Sequence, residues 1–296
     1  MVNIEQCTWK SFDNINLTGI CWVSDEAPAA VICLVHGLGE HIGRYSHLIE
    51  RLTKEGYAVL GYNLRGHGSS GGLHGHCPSF ESHMQDIDFL LQEADRRFPD
   101  QAKFLYGHSM GGILVLNHAL RRKPDLAGVI ATSPGLNTAI QMQKGKVLLA
   151  RALGSLVPQL TIKSGLMTEH ISRDKKVIQA YISDPLVHDK ITARMGKELL
   201  GSIDYAYSRA SEFPVPLLLM HGDADKIAYT SGSEKFNSLV KGNCLLKIWT
   251  DRYHELHNDF GKEEVFDYLI DWLKDKLPRS IPGQSGSGMG KFDPVG

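Results

Sequence analysis

Short, almost uninterrupted apolar runs alternate along this chain with longer amphipathic segments, and this alternation restricts the fold more than any other feature. Strands that are buried on both faces have this nearly continuous apolar character. Strand-like runs occur at 30–35, 58–62, 103–106, 128–132, 216–220 and 245–249. Helical patterns occur at about 45–55, 79–97, 111–122, 232–239 and 263–276. The alternation predicts an α/β fold with a mostly parallel sheet flanked by helices, and with 5–12 and 17–23 as an antiparallel edge.

The alternation stops between residues 135 and 213, where helical patterns and loops occur but no buried strand is recognisable. We therefore predict a core formed by residues 1–134 and 206–280, with residues 135–205 inserted as a helical cap. Residues 281–296 are rich in Gly, Ser and Pro and poor in large apolar side chains, so they are predicted to be a flexible tail.

Composition excludes several classes of protein. The 296 residues are 42% hydrophobic and 22% charged, and the formal net charge is −1, so no global field attracts nucleic acid or anionic membranes. Five scattered cysteines without a C-x-x-C pair indicate a reducing compartment. The first residues lack the layout of a signal peptide, and no apolar run approaches the roughly 20 residues of a membrane span. The sequence predicts a cytoplasmic protein that is at most peripherally associated with membranes.

The stretch from Gly107 to Gly111 has the form G-x-S-x-G and lies where a predicted strand passes into a predicted helix. A serine in such a turn projects its hydroxyl outward, and small residues two positions away on either side relieve crowding. The following helix directs free N–H groups at the same point. Ser109 is therefore predicted to be a nucleophile.

A serine hydroxyl needs a base, and a histidine base needs a carboxylate to orient it. On a scaffold of alternating strands and helices these groups follow the serine in the order Asp, His. Asp223 and Asp225 follow the strand at 216–220, while His254 and His257 follow the strand at 245–249. Asp225 is favoured because it lies deeper in its loop, and Asp223 is the alternative as a turn former. His254 is favoured as the base, since His257 could instead cap the last helix.

The tetrahedral intermediate of acyl transfer needs two preorganised N–H donors for its oxyanion. The backbone N–H of Met110, directly after the nucleophile, is one candidate. The strand at 30–35 leads into an H-G-x-G stretch, where the N–H of Leu38 is the second candidate.

Six motifs follow one another along the chain in the order HGLGEHIGRY, NLRGHGSSGG, GHSMGG, SDPLVH, HGDADKI and YHELHND. In this order they resemble the monoacylglycerol lipase and lysophospholipase branch of the α/β-hydrolases, and the resemblance covers residues 5–277. The resemblance implies an eight-stranded α/β-hydrolase core with a helical cap and a catalytic triad of Ser109, Asp225 and His254. It implies oxyanion donors at Leu38 and Met110, a glycerol monoester of a fatty acid as substrate, and no cofactor. The chain departs from the family at Asn63, where members often have Asp.

Other candidate substrate-binding residues lie in the cap and in the loop after the first central strand. Within 142–158, the residues Leu148, Leu149 and Leu153 belong to an apolar series that could line an acyl tunnel, contact a lipid interface or pack on the core. Glu40 and Arg44 could contact the polar head of the substrate or brace their loop.

The leading hypothesis is a serine hydrolase that cleaves fatty acid esters, above all monoacylglycerols, through an acyl-serine intermediate. Alternatives are a lysophospholipase, a general carboxylesterase, a proline-type aminopeptidase or a non-catalytic binding protein of the same fold. No metal is predicted, since His254 and His257 do not form H-E-x-x-H. The expected partners are a lipid ester and, through the cap, a transient membrane surface, with no nucleic acid.

Overall fold

A computed structural model of the chain describes residues 2–139 and 143–277; the predicted tail at 281–296 lies outside them. In these ranges the strands are β1 (Val2–Lys10), β2 (Asn16–Ser24), β3 (Ala30–Val35), β4 (Ala58–Tyr62), β5 (Ala102–His108), β6 (Gly128–Thr132), β7 (Thr161–Lys163), β8 (Lys190–Thr192), β9 (Leu217–Gly222) and β10 (Cys244–Trp249). The α-helices are α1 (Ser46–Lys54), α2 (Phe80–Arg97), α3 (Met110–Arg122), α4 (Lys144–Leu156), α5 (Lys175–Ser183), α6 (Ala193–Arg209), α7 (Thr230–Leu239) and α8 (Lys262–Lys276).

Eight strands form one sheet in the order β1-β2-β4-β3-β5-β6-β9-β10. The pairs β1–β2 and β2–β4 are antiparallel, and the other pairs are parallel. This confirms the predicted mostly parallel sheet with an antiparallel edge. Because the carboxyl ends of parallel strands meet at one edge, the loops after β3, β5, β9 and β10 converge there.

Two hydrophobic cores cover the two faces of the sheet, and alternate residues of β3 belong to one or the other. Helices α2, α3 and α7 supply the first core, while α1 and α8 supply the second. Burial on both faces explains why the central strands are uninterrupted apolar runs in the sequence.

The segment between β6 and β9 contains α4, β7, α5, β8 and α6. Its two strands pair antiparallel and have only three residues each, TIK and KIT, which are too short and too polar to leave an apolar pattern in the sequence. Helix α6 packs on α3, where the side-chain amide of Asn117 donates to the Ser202 carbonyl at 3.1 Å. The predicted boundary between residues 205 and 206 falls inside α6, and a helix is one rigid unit. The division into core and cap stays a prediction, with its second boundary better drawn after α6.

Within the described ranges, none of the helices has both the length and the apolar character that crossing a bilayer requires.

Candidate active site

Ser109 occupies the sharp turn between β5 and α3. Its φ and ψ are 53° and −114°, a conformation that costs a non-glycine residue energy and is held by its surroundings. A Cβ at Gly107 would overlap the Gly111 carbonyl, and a Cβ at Gly111 would overlap the Val35 carbonyl. The two glycines of the motif are therefore required by close backbone packing around the turn.

The structure brings Ser109, His254 and Asp225 together from three separate loops. The Oγ of Ser109 lies 2.9 Å from Nε2 of His254, and Nδ1 of His254 lies 2.7 Å from Oδ2 of Asp225. The carboxylate accepts from Nδ1–H, so Nε2 carries the lone pair that faces the serine hydroxyl. His254 and Asp225 are buried, and the arrangement can remove the serine proton.

The carboxylate of Asp225 is held by donors on both oxygens. Its Oδ1 accepts the N–H groups of Ile227 at 2.8 Å and Ala228 at 3.0 Å. Burial alone would raise the pKa of Asp225, but the imidazoles of His254 and His221 outweigh burial and hold that pKa well below its ordinary value. Burial alone would lower the pKa of His254, but the charge of Asp225 outweighs it and holds that pKa above its ordinary value. Asp225 therefore stays ionised and makes His254 a stronger base.

His221 positions Asp225, a role that the sequence does not reveal because a histidine at a strand end is more often a packed structural residue. Its Nε2 lies 2.8 Å from the Ala228 carbonyl and 3.2 Å from Oδ2 of Asp225. Its Nδ1 accepts from the hydroxyl of Ser233 at 2.7 Å. The available signal was its place at the end of β9, four residues before the carboxylate.

Asp223 and His257, the alternatives to Asp225 and His254, do not take part in the hydrogen bonds that join the triad. Asp223 is exposed and accepts the N–H of Asp251 at 2.7 Å, as expected of a turn former. His257 is buried and its ring stacks on Tyr45 at 4.3 Å between centroids. The expectation that His257 caps the last helix is wrong, because α8 starts five residues later with Gly261 at its N-cap.

The two expected oxyanion donors flank the serine. Met110 is the first residue of α3, so its N–H has no acceptor within the helix. Leu38 follows β3, and it lines the same cavity as Ser109 and Met110. The preceding N–H, of Gly37, donates to Oε1 of Glu40 at 2.7 Å, which fixes the direction of this loop.

A buried ion-pair network connects the oxyanion loop to the histidine loop. Oε1 of Glu40 accepts from the hydroxyl of Tyr45 at 2.6 Å, and Oε2 accepts from Nη1 of Arg44 at 2.8 Å. Arg44 also donates to both oxygens of Glu255, the neighbour of His254, at 2.6 and 2.8 Å. Glu40 and Glu255 line the cavity and Arg44 lies behind them, so the bracing alternative describes the geometry of Glu40 and Arg44.

The pKa values within this network follow the number of contacts with Arg44. Burial raises the pKa of Glu40, and Arg44 offsets this only in part. Burial would also raise the pKa of Glu255, but its paired contact with Arg44 outweighs burial and lowers that pKa. A single guanidinium thus donates to two buried carboxylates, with two hydrogen bonds to Glu255 and one to Glu40.

Asn63, the departure from the resembled family, is satisfied as an amide. Its Oδ1 accepts the N–H of Ile42 at 3.0 Å, while Nδ2 donates to the hydroxyls of Thr18 at 3.0 Å and Ser69 at 3.1 Å. An ionised carboxylate could not donate to these hydroxyls. The side chain therefore braces the start of the segment after the oxyanion loop without an ion pair.

A cavity of about 480 Å³ extends from Ser109 and His254 into the inserted segment. Its apolar wall includes Leu153, Leu160, Leu166, Met167, Leu199 and Ile203. Of the three cap leucines predicted to bind substrate, only Leu153 lies on this wall. Leu148 and Leu149 are 71% and 57% exposed and do not line the cavity.

Across the described residues, no cluster of three or more His, Cys, Asp or Glu side chains has an arrangement that could hold a metal ion.

The family model described as serine aminopeptidase S33, Hydrolase_4, matches residues 26–260. The chain belongs to the Hydrolase_4 family. The sheet order and the turn at Ser109 fit this membership, which places the chain in the α/β-hydrolase superfamily.

Individual relatives of this Hydrolase_4 chain are lipases and a phospholipase. It is 31% identical to the monoacylglycerol lipase of Mycolicibacterium smegmatis over 86% of this chain and 92% of that protein. It is 35% identical to phospholipase YtpA of Bacillus subtilis over 83% of this chain and 95% of that protein. The crystal structure of the Paleococcus ferrophilus monoacylglycerol lipase superposes with a TM-score of 0.79 at 32% identity, over 93% of this chain and 99% of that one.

The chain is also 38% identical to an uncharacterised abhydrolase domain-containing protein of Dictyostelium discoideum. The match covers 86% of this chain and 27% of that protein's length. Together with the fold, the lipase and phospholipase relatives support ester hydrolysis by an α/β-hydrolase.

Proposed function

We propose that this protein hydrolyses glycerol monoesters of fatty acids through an acyl-serine intermediate. The observation that carries the proposal is the continuous cavity that extends from Ser109 to the apolar wall of the inserted segment. One acyl chain can be buried along this wall while its ester carbonyl lies beside the serine. The similarity to two monoacylglycerol lipases supports a glycerol leaving group.

In the first half-reaction, Oγ of Ser109 attacks the ester carbonyl as Nε2 of His254 takes the hydroxyl proton. The backbone N–H groups of Leu38 and Met110 donate to the oxyanion, and removal of one such donor typically costs about 3 kcal/mol. Asp225 stabilises the imidazolium that forms. His254 then gives its proton to the glycerol oxygen, which leaves the acyl group on Ser109.

In the second half-reaction, a water molecule replaces the glycerol. His254 takes a proton from this water, which attacks the acyl-serine carbonyl and forms a second oxyanion at the same N–H groups. The proton then passes to Oγ of Ser109, and the fatty acid leaves. The two steps use the same base and require no cofactor.

A panel of substrates tests the proposal. The purified protein is incubated with monoacylglycerols of eight to eighteen carbons, lysophosphatidylcholine, diacyl phosphatidylcholine and proline p-nitroanilide, and the released fatty acid or aniline is measured. The highest kcat/KM is expected for a monoacylglycerol, since its small neutral head leaves the acyl chain to supply binding. Turnover of p-nitrophenyl acetate without turnover of any monoacylglycerol would overturn the proposal.

Lysophospholipid hydrolysis is the second candidate function. Lys163 and Lys226 line the same cavity and are exposed, so a phosphate group could approach them. The similarity to phospholipase YtpA favours the same class of substrate. A kcat/KM for lysophospholipids above that for every monoacylglycerol in the panel would make this the main activity.

Transient contact with a lipid surface through α4 is also part of the proposal. Leu148, Leu149 and Leu156 form an outward apolar face, and Leu156 is 79% exposed. Exposed apolar faces of this kind bury into lipid interfaces. The triple variant Leu148→Ser, Leu149→Ser, Leu156→Ser is expected to sediment less with phosphatidylcholine vesicles than the wild type does.

The matched control for vesicle binding is Ile4→Ser, which removes a 65% exposed apolar side chain from β1, away from the inserted segment. Equal sedimentation of the triple variant and the wild type would contradict contact through α4.

A further inference from the structure

One face of helix α6 lines the cavity that contains Ser109. Ala193, Gly196, Leu200 and Ile203 follow one another at intervals of three or four residues, and all four line the cavity. These intervals place the four residues on one face of an α-helix. Gly196 is therefore the position on this face where the wall has no side chain.

The space in front of Gly196 is open. A Cβ built at this glycine meets no atom within 4 Å outside its own helix. By contrast, a Cβ at Gly154, where α4 packs on α6, would lie 2.6 Å from the Ala193 carbonyl oxygen. Close packing thus explains Gly154 but not Gly196.

Glycine is unfavourable in a helix interior, so its presence at position 196 calls for a local reason. The φ of Gly196 is not in the left-handed region, which removes the conformational reason. Its place on the cavity wall supplies another: a side chain there would fill volume available to a substrate.

We propose that Gly196 sets the length of the acyl chain that the cavity accepts. This inference rests on the proposed ester hydrolase function, and it assigns Gly196 as a specificity-determining residue. A larger side chain at this position occupies the part of the cavity beside α6, so long acyl chains lose burial while short chains lose less.

The expected effect is a change in the preference between long and short chains. Each buried methylene contributes about fourfold to binding, so loss of burial for two methylenes lowers kcat/KM for a long-chain ester by about 16-fold. Gly196→Leu is expected to lower the ratio of kcat/KM for p-nitrophenyl laurate to that for p-nitrophenyl butyrate by at least about tenfold. Gly196→Ala adds one methyl group and is expected to lower the same ratio by about fourfold.

Gly201 provides the matched control. It lies on the same helix, and a Cβ there also meets no atom within 4 Å outside its own helix, but Gly201 is exposed and does not line the cavity. Gly201→Leu and Gly201→Ala are expected to keep the wild-type ratio. Should Gly196→Leu fail to fold, as judged by thermal unfolding, the alanine pair decides the question.

An unchanged ratio in a folded Gly196→Leu or Gly196→Ala variant overturns the inference, as does an equal change in the matched Gly201 variant. The p-nitrophenyl esters share one leaving group, so their ratio does not depend on glycerol recognition. If the wild type hydrolyses p-nitrophenyl laurate but no monoacylglycerol, the proposed substrate is wrong while the Gly196 ratio still decides this inference. If monoacylglycerols are hydrolysed and the ratio is unchanged, only the role of Gly196 is wrong.

Discussion

Replacement of Ser109 by alanine is expected to lower kcat for monoacylglycerol hydrolysis by a factor on the order of 10⁵ or more. The hydroxyl is the nucleophile of the first half-reaction, and a water in its place would lack the fixed position 2.9 Å from Nε2 of His254. The measurement is the release of fatty acid, together with labelling by a fluorophosphonate probe. The wild type is expected to be labelled, and Ser109→Ala is not.

The control for Ser109 is Ser238→Ala on α7, an exposed serine whose hydroxyl donates to the Lys235 carbonyl. It is expected to keep wild-type turnover and labelling. Thermal unfolding of Ser109→Ala establishes that the variant is folded. Substantial labelling of the folded Ser109→Ala protein would mean that a different residue is the nucleophile.

Replacement of Asp225 by asparagine is expected to lower kcat/KM by about 10⁴-fold and to change its pH dependence. The amide preserves the shape of the side chain but removes the charge that orients Nδ1–H of His254. In the wild type, Asp225 holds the pKa of His254 above its ordinary value of about 6.5, so activity is present above this pKa and is lost as pH falls through it.

In Asp225→Asn, no charge at position 225 offsets the effect of burial on His254, so the pKa of His254 is expected to fall. The acidic limb of the pH profile of kcat/KM should therefore shift to lower pH, in addition to the loss of rate. A merely structural role would reduce the rate without moving the limb, so an unmoved midpoint would contradict the assignment of Asp225.

Asp223→Asn is the matched control for the carboxylate. It alters the same loop two residues earlier, at an exposed side chain that accepts the Asp251 N–H. We expect Asp223→Asn to keep both the rate and the midpoint of the wild type. The reverse result in the two variants would exchange the roles of Asp223 and Asp225.

Most of the sheet could be predicted from the sequence because its central strands are buried on both faces. The runs at 30–35, 58–62 and 128–132 coincide with β3, β4 and β6. The short strands β7 and β8 could not be predicted, since three residues with a single apolar side chain carry no apolar pattern. The predicted domain boundary between 205 and 206 lies within α6, which the sequence did not show as one continuous helix.

The turn around Ser109 is a local structure, and its glycines and its place between strand and helix can be recognised in five residues. The order of strands also indicates which loops reach the same edge of the sheet. For these reasons the sequence by itself determined the α/β class, the candidate nucleophile and the loops that supply its partners.

Contacts between distant segments required the tertiary structure. His221 touches Asp225 through a side-chain geometry that spacing does not specify, and Arg44 meets Glu255 across 211 positions of the chain. The apolar series of α4 does not reveal which leucines face the cavity, so Leu148 and Leu149 could not be separated from Leu153. Periodicity fixes relative directions around a helix, but only packing against other elements fixes which direction is inward.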